Sequence, residues 1–328
     1  MGYTRQQRFH DGMALHRAWS NEETLIEKAY QGLLSAINSA TTPIFSDKPI
    51  RILDLGAGTG DLGAKLIQQI SESHPELPIH YHGLDNDPEY RDAILKNTSA
   101  AHSTQATTAD IFSPSMLNDL TRQGPWDLVM VNNVGYYALD EQGNFSLDKF
   151  RDFINSIKRM SKIAVFVHTP SISNKLETIL NEQGAPFDCV ACLNCTVPIH
   201  SMKNSKGDIR ITPLHWDTME QPVVLHQRDE DPYEDKGMLA FRLVFESRNG
   251  ALIREWETLP EDLRKQLVGD WRKRVVDGAF HSKERMQIVY GDSLSDTDVS
   301  ALRDALQQSC LEKANAHSTR SEAAGRTV

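Results

Sequence analysis

The sequence predicts an α/β fold, a doubly wound and mostly parallel sheet of seven strands. An N-terminal helical cap, an insertion before the last strand and C-terminal helices complete it. Three observations predict this. Short apolar runs alternate with helix-periodic segments between residues 50 and 183, the pattern of βα units in a parallel sheet. A glycine-rich turn, Gly56-Ala57-Gly58-Thr59-Gly60, joins the first apolar run to the first helical segment. Finally, Asp54, Asp85 and Asp110 stand at the ends of the first three runs, at the carboxyl edge where open α/β sheets bind ligands.

The chain has 328 residues, enough for one large domain with additions or for two domains. Apolar residues make up 39% and charged residues 24%, an ordinary balance for a soluble globular protein. The formal net charge of −10 argues against a surface that binds phosphates irrespective of sequence, so nucleic acid is not an expected partner. No apolar run approaches the ~20 residues of a membrane span, and no apolar segment follows Arg5 and Arg8 as a signal peptide would require. Four cysteines in a chain of this length do not form a disulfide framework. The expectation is a cytoplasmic protein.

Taken in order, residues 1–19 carry Tyr3, Phe9, Met13, Leu15 and Trp19 at spacings that suit a short helix. Ser20-Asn21-Glu22-Glu23 is a capping-box signature. Leu25, Ala29, Leu33 and Ile37 follow as a helical stripe. Residues 1–46 are thus expected as a helical cap on a ligand-binding domain of residues 47–250. The first strand runs from Arg51 to Asp54, and the glycines after it let a ligand approach backbone where any Cβ would intrude. Leu62, Leu66 and Ile70 mark one face of the next helix. The second strand, 79–84, leads to Asp85-Asn86-Asp87-Pro88. An acid here lies within reach of a ribose, whose two hydroxyls one carboxylate can bind. Asp87 and Pro88 suit the start of a helix. Residues 105–109 form the third strand. Trp126-Asp127-Leu128-Val129-Met130-Val131 is the fourth and delivers Asn132-Asn133-Val134-Gly135-Tyr136-Tyr137 to the carboxyl edge. The fifth, 163–167, presents His168 there.

Two ligand classes suit the loop. Gly58-x-Gly60-x-x-Gly63 satisfies the dinucleotide fingerprint. Asp54, however, would repel a pyrophosphate at close range and attract a cation. S-adenosylmethionine has no phosphate and carries an ammonium, a carboxylate and a sulfonium. The pattern Asp54-x-Gly56-x-Gly58-x-Gly60 resembles the first motif of the class I S-adenosylmethionine-dependent methyltransferases, and the resemblance covers residues 50–247. It implies the class I fold, S-adenosylmethionine as cofactor, and methyl transfer to a small-molecule acceptor by in-line displacement. It further implies that Asp54, Gly56, Gly58, Gly60, Asp85, Asn86, Asp110, Ile111, Asn132 and Asn133 hold the cofactor. Asp110 would accept from the adenine amino group while the backbone of Ile111 meets the ring. The run Asn132 to Tyr137 resembles, loosely, the fourth motif of amino-methylating enzymes, but it lacks their proline, so a planar nucleobase amine is not implied.

Tyr136 and Tyr137 are candidates to shape the acceptor site, with Tyr3 and His215, and His168 is a candidate general base. Each has a plainer alternative. Asp110 can serve only to start the turn before Ser113-Pro114, the tyrosines can pack under a lid, and His168 can be a hydrogen-bonded strand-end histidine. Three functional alternatives also stay open. The same cofactor can be attacked at another carbon on sulfur, giving aminocarboxypropyl transfer or cyclisation with methylthioadenosine as product. The chain can be an NAD(P)-dependent oxidoreductase. It can also bind S-adenosylmethionine as a non-catalytic regulator.

Residues 187–195 are expected as the sixth strand. Cys189, Cys192 and Cys195 give two overlapping C-x-x-C units, a metal-like signature. Residues three apart on a strand point to opposite faces, so buried unpaired thiols are expected rather than a metal site. An insertion of about 198–237 is the expected recognition element, and its acidic run, Asp229 to Asp235, lacks the spacing of a calcium loop. Residues 238–247 are expected as the last strand and 251–312 as a helical extension, with Leu263, Leu267 and Trp271 on one helix and Val299, Leu302 and Leu306 on another. Whether this extension enlarges the domain or makes a homodimer contact stays open. Residues 313–328 are expected to be a disordered tail.

Overall fold

The computed structural model of the protein describes residues 21–40, 45, 49–141, 145–198, 262, 275–276 and 279–308. They fall into two compact units. The larger is drawn from Ile26–Ala138, Ser146–Cys192 and Arg285–Val328, and the other from Met1–Leu25, Leu139–Phe145 and Leu193–Glu284. Tyr3, His215, residues 199–237 of the expected insertion, the expected last strand at 238–247 and the expected tail at 313–328 lie outside the described residues.

Helix α1 is Glu22–Ser39, followed by β1 (Ile50–Leu55), α2 (Asp61–Ser73), β2 (Ile79–Asp85), α3 (Tyr90–Asn97) and β3 (Ser103–Thr108). Next come α4 (Pro114–Gln123), β4 (Trp126–Asn132), a 3₁₀ turn (Gly135–Tyr137), α5 (Leu147–Met160), β5 (Ser161–His168), α6 (Pro170–Glu182) and β6 (Phe187–Pro198). The two-residue β7 (Val275–Val276), β8 (Ala279–Tyr290) and a helix α7 at 296–308 complete the described chain. Seven strands lie in the order β3-β2-β1-β4-β5-β8-β6, with β7 paired to β8. β1, β2, β3, β4 and β5 pair in parallel, and β8 runs antiparallel to β5. This is the doubly wound, mostly parallel sheet expected.

The central strands are apolar almost throughout because helices cover both faces. Ile52, Leu53 and Leu55 of β1, Leu128 to Val131 of β4 and Ile163 to Val167 of β5 are buried. β3, at one edge, has no buried residue, as suits a strand with one unpaired side. α5 shows why a helix forms where it does. Ser146 caps it by accepting from the Lys149 amide at 3.2 Å, Phe150, Phe153, Ile154 and Ile157 form its buried stripe, and Lys158 and Arg159 occupy the last turn.

One strand lies where helix was expected. β8 sits inside the stretch expected to be a helical extension. It buries Met286, Ile288, Val289 and Tyr290, but Arg285 and Gln287 interrupt the apolar run that marks a central strand. Glu177 of α6 receives both, from Arg285 Nη1 at 3.2 Å and Gln287 Nε2 at 2.7 Å. The helix expected at Ser295 is present. The Ser295 amide and hydroxyl donate to Asp298 Oδ2, and the Asp298 amide donates to Ser295 Oγ.

Candidate functional site

The carboxyl ends of β1, β2 and β4 gather three of the expected residues. Asp54 is only 3% exposed, and its Oδ2 accepts a hydrogen bond of 2.7 Å from the Tyr81 hydroxyl. Burial, and then the Asp54 carboxylate, push the Tyr81 hydroxyl well above its ordinary range, so it stays protonated and donates. After β1 the chain turns at Gly56, whose φ is +77°. The amides of Gly56 and Ala57 both donate to the Leu84 carbonyl, at 2.8 and 2.9 Å, which staples the turn to β2. A Cβ at Gly56 would fall 2.1 Å from Val134 Cγ1.

Asp85 joins the loop to the end of β2. Its Oδ2 accepts from the Gly58 amide at 2.9 Å and its Oδ1 from the Asp87 amide at 3.0 Å. Burial raises its pKa, and these amide bonds oppose the rise by favouring the charged form. Gly58 and Gly60 take positive φ, 54° and 79°, and Gly60 precedes the first turn of α2. Gly63, the third glycine of the dinucleotide-like spacing, has another reason to lack a side chain. A Cβ there would lie 2.4 Å from the Tyr81 hydroxyl oxygen. The same tyrosine that holds Asp54 therefore occupies the space beside α2.

At the end of β4, Asn132 Oδ1 accepts from the Tyr30 hydroxyl of α1 at 3.1 Å. Asn133 takes φ of +53°, which asparagine tolerates better than most residues, and its amide donates to the Val167 carbonyl at 2.8 Å. In the 3₁₀ turn the rings of Tyr136 and Tyr137 lie 4.5 Å apart. Burial, then Tyr136, then Asp85 and Tyr90, raise the Tyr137 hydroxyl far above its ordinary range. Tyr137 is thus a neutral hydroxyl within electrostatic reach of Asp85.

Asn86 and Asp110 are exposed, and Ile111 is buried. Asp110 Oδ1 accepts from the Phe112 amide at 2.9 Å, so the carboxylate does start the turn before Ser113. Its loop adjoins that of Asp85, because the Ala109 amide donates to the Asp85 carbonyl at 2.9 Å.

His168, the candidate general base, is a buried residue at the end of β5. It is 1% exposed, neither ring nitrogen has a hydrogen-bond partner among the described residues, and burial lowers its pKa to about 3. The reason is its place at the end of a strand flanked on both sides, beneath the turn of Gly135, where a Cβ would lie 3.0 Å from His168 Nε2. The thiols differ from expectation in the opposite sense. Cys189 and Cys192 are exposed, since β6 lies at the open edge of the sheet, and the side chain of Cys195 lies outside the described residues.

Sequence reading did not identify Tyr30 and Tyr81 as part of this site. The available signal was a tyrosine in each of two buried patterns. A buried phenol needs a partner for its hydroxyl, and here the partners are Asn132 and Asp54.

No protein-family model matches the chain, and no curated protein matches it. Among solved structures, the N-methyltransferase NodS from Bradyrhizobium japonicum WM9 in complex with S-adenosylhomocysteine is similar at 18% identity and a TM-score of 0.34, covering 52% of this chain and 79% of that one. A TehB-like S-adenosylmethionine-dependent methyltransferase from Corynebacterium glutamicum is similar at 17% identity and a TM-score of 0.33, over 49% of this chain and 74% of that one. An O-methyltransferase family protein from Burkholderia thailandensis is similar at 14% identity and a TM-score of 0.38, over 90% of this chain and 65% of that one.

Proposed function

We propose that this chain is a class I S-adenosylmethionine-dependent methyltransferase acting on a small-molecule acceptor in the cytoplasm. The observation that carries the reading is the double engagement of Asp85, which fastens the glycine loop to the acid ending β2 through the Gly58 and Asp87 amides. A carboxylate fixed by backbone amides in this way suits a vicinal diol. Asp54 ends the neighbouring strand as a buried acid, which suits a cationic head group and opposes a pyrophosphate. The sheet agrees with this choice. The usual dinucleotide sheet runs 3-2-1-4-5-6 in parallel, whereas an antiparallel β8 lies here between β5 and β6.

The residues present therefore fit S-adenosylmethionine, which when bound supplies a methyl group already activated by its sulfonium. The protein's tasks are then alignment and exclusion of water. In this reading Asp85, with Asn86, receives the ribose, and Gly56, Gly58 and Gly60 let the backbone approach. Asp110 and Ile111 flank the adenine, while Asp54, Asn132 and Asn133 receive the amino-acid portion. Tyr136 and Tyr137 border the acceptor. Tyr137, held neutral by burial, orients an acceptor atom by hydrogen bonding and does not remove its proton at neutral pH. Among the described residues no helix is long and apolar enough to cross a membrane.

Chromatography of the nucleosides formed from S-adenosylmethionine, with pooled small metabolites as acceptors, tests the reaction. S-adenosylhomocysteine is the expected product. Methylthioadenosine in its place would replace methylation by attack at another carbon on sulfur, and cofactor left intact with every pool would replace catalysis by regulation.

A further inference from the structure

Helix α1 contributes a buried hydroxyl to the carboxyl edge of the sheet. Tyr30 is 1% exposed, within the stripe of Ile26, Leu33, Leu34 and Ile37. Its ring alone would be served by any aromatic residue. The hydroxyl, however, is placed 3.1 Å from Asn132 Oδ1. Burial raises its pKa well above the ordinary value, and the Asp54 carboxylate adds to the rise, so the group is a neutral donor throughout the working pH range. An amide whose oxygen accepts from a fixed donor has its polarity chosen, with the NH₂ end left to face the other way. Asn132 is half-buried, and its Nδ2 makes no hydrogen bond among the described residues.

We infer that Tyr30 is a positioning residue that holds the Asn132 carboxamide with its N–H donors toward the ligand, so that Asn132 and Asp54 together recognise a zwitterionic amino-acid head group. The inference rests on the proposed cofactor. Strand register supports the pairing of the two groups. Asp54 lies opposite Met130 and Leu55 opposite Val131, so Asn132 ends its strand beside Gly56, where the loop begins. A carboxylate is an acceptor and needs the NH₂ end. The Asn132 oxygen in its place would repel the carboxylate, and a freely turning amide would select neither polarity.

The test is calorimetric, with two nucleosides that differ only in the portion concerned. S-adenosylhomocysteine carries the amino-acid head and methylthioadenosine lacks it. Tyr30→Phe keeps the ring and removes the hydroxyl. The expected result is a loss of S-adenosylhomocysteine affinity of about 3- to 10-fold, the usual range for one hydrogen bond, with methylthioadenosine affinity unchanged. In an Asn132→Ala background, Tyr30→Phe should cause no further loss. Equal weakening of both nucleosides would assign Tyr30 a purely structural part and overturn the inference, as would unchanged affinity for both. If the unmodified protein binds neither nucleoside, the cofactor reading itself fails. If it binds both and the variant does not discriminate, only the role of Tyr30 fails.

Discussion

The two halves of the sheet treat polar side chains differently. At the ends of β1, β2 and β4, Asp54 and Asn132 each accept from a tyrosine hydroxyl, and Asp85 accepts from backbone amides, bonds that orient these groups. On the β5–β8 side the polar groups are tied to one another. Glu177 receives Arg285 and Gln287, and Asp188 receives Tyr290 at 2.7 Å and Arg303 at 2.8 Å. His168 is buried there, with no partner for its ring nitrogens among the described residues. Within one fold, a half whose strand-end groups are set by tyrosines and backbone amides stands beside a half whose polar side chains tie strands and helices together.

Acid should affect the buried histidines most. Burial lowers His168 to about 3 and His82 to about 4, against an ordinary 6.5. Both folded-state values lie below the unfolded one, so folding favours the neutral rings. The stability they contribute is complete above pH 6.5 and is lost progressively as the pH falls toward 4 and 3. The expected cost is roughly 2 kcal/mol for each histidine at pH 5, read from urea unfolding at pH 7 and pH 5. His168→Asn should flatten that pH dependence, and an undiminished slope would show that His168 titrates freely in the folded protein.

Three substitutions sharpen the comparison, in decreasing order of effect. Gly56→Ala places a methyl against Val134 in a positive-φ turn and should destabilise the fold by about 3 kcal/mol, measured by chemical denaturation. Asp85→Ala should weaken S-adenosylmethionine binding by about 2 kcal/mol through loss of charge-assisted bonds, measured by calorimetry. Glu177→Ala belongs to the other half. It should lower stability by about 1.5 kcal/mol, since its pair with Arg285 is partly exposed but the buried Gln287 amide loses its acceptor, and should leave cofactor affinity unchanged. Weakened binding in that variant would remove the distinction between the halves.

What could be read from the sequence was local. Strand-end acids, the glycine turn and the Ser295 capping signature each need only a few neighbouring residues, and the order of βα units follows from alternating periods. What escaped depends on residues far apart. Tyr81 meets Asp54 across 27 positions and Tyr30 meets Asn132 across 102, so a tyrosine in an apolar pattern looked like packing alone. β8 was missed because Arg285 and Gln287 look exposed until Glu177, 108 and 110 positions away, is brought beside them. His168 looked accessible because a strand end looks like an edge, and only the turn at Gly135 closes over it.

The central claim is that the loop bounded by Asp54 and Asp85 receives S-adenosylmethionine and not a dinucleotide. Calorimetric titration of the same preparation with S-adenosylmethionine and with NADPH tests it most directly. Saturable one-to-one binding of S-adenosylmethionine, abolished or weakened in Asp85→Ala, is expected, with no heat from NADPH beyond dilution. Tight binding of NADPH with none of S-adenosylmethionine would contradict it.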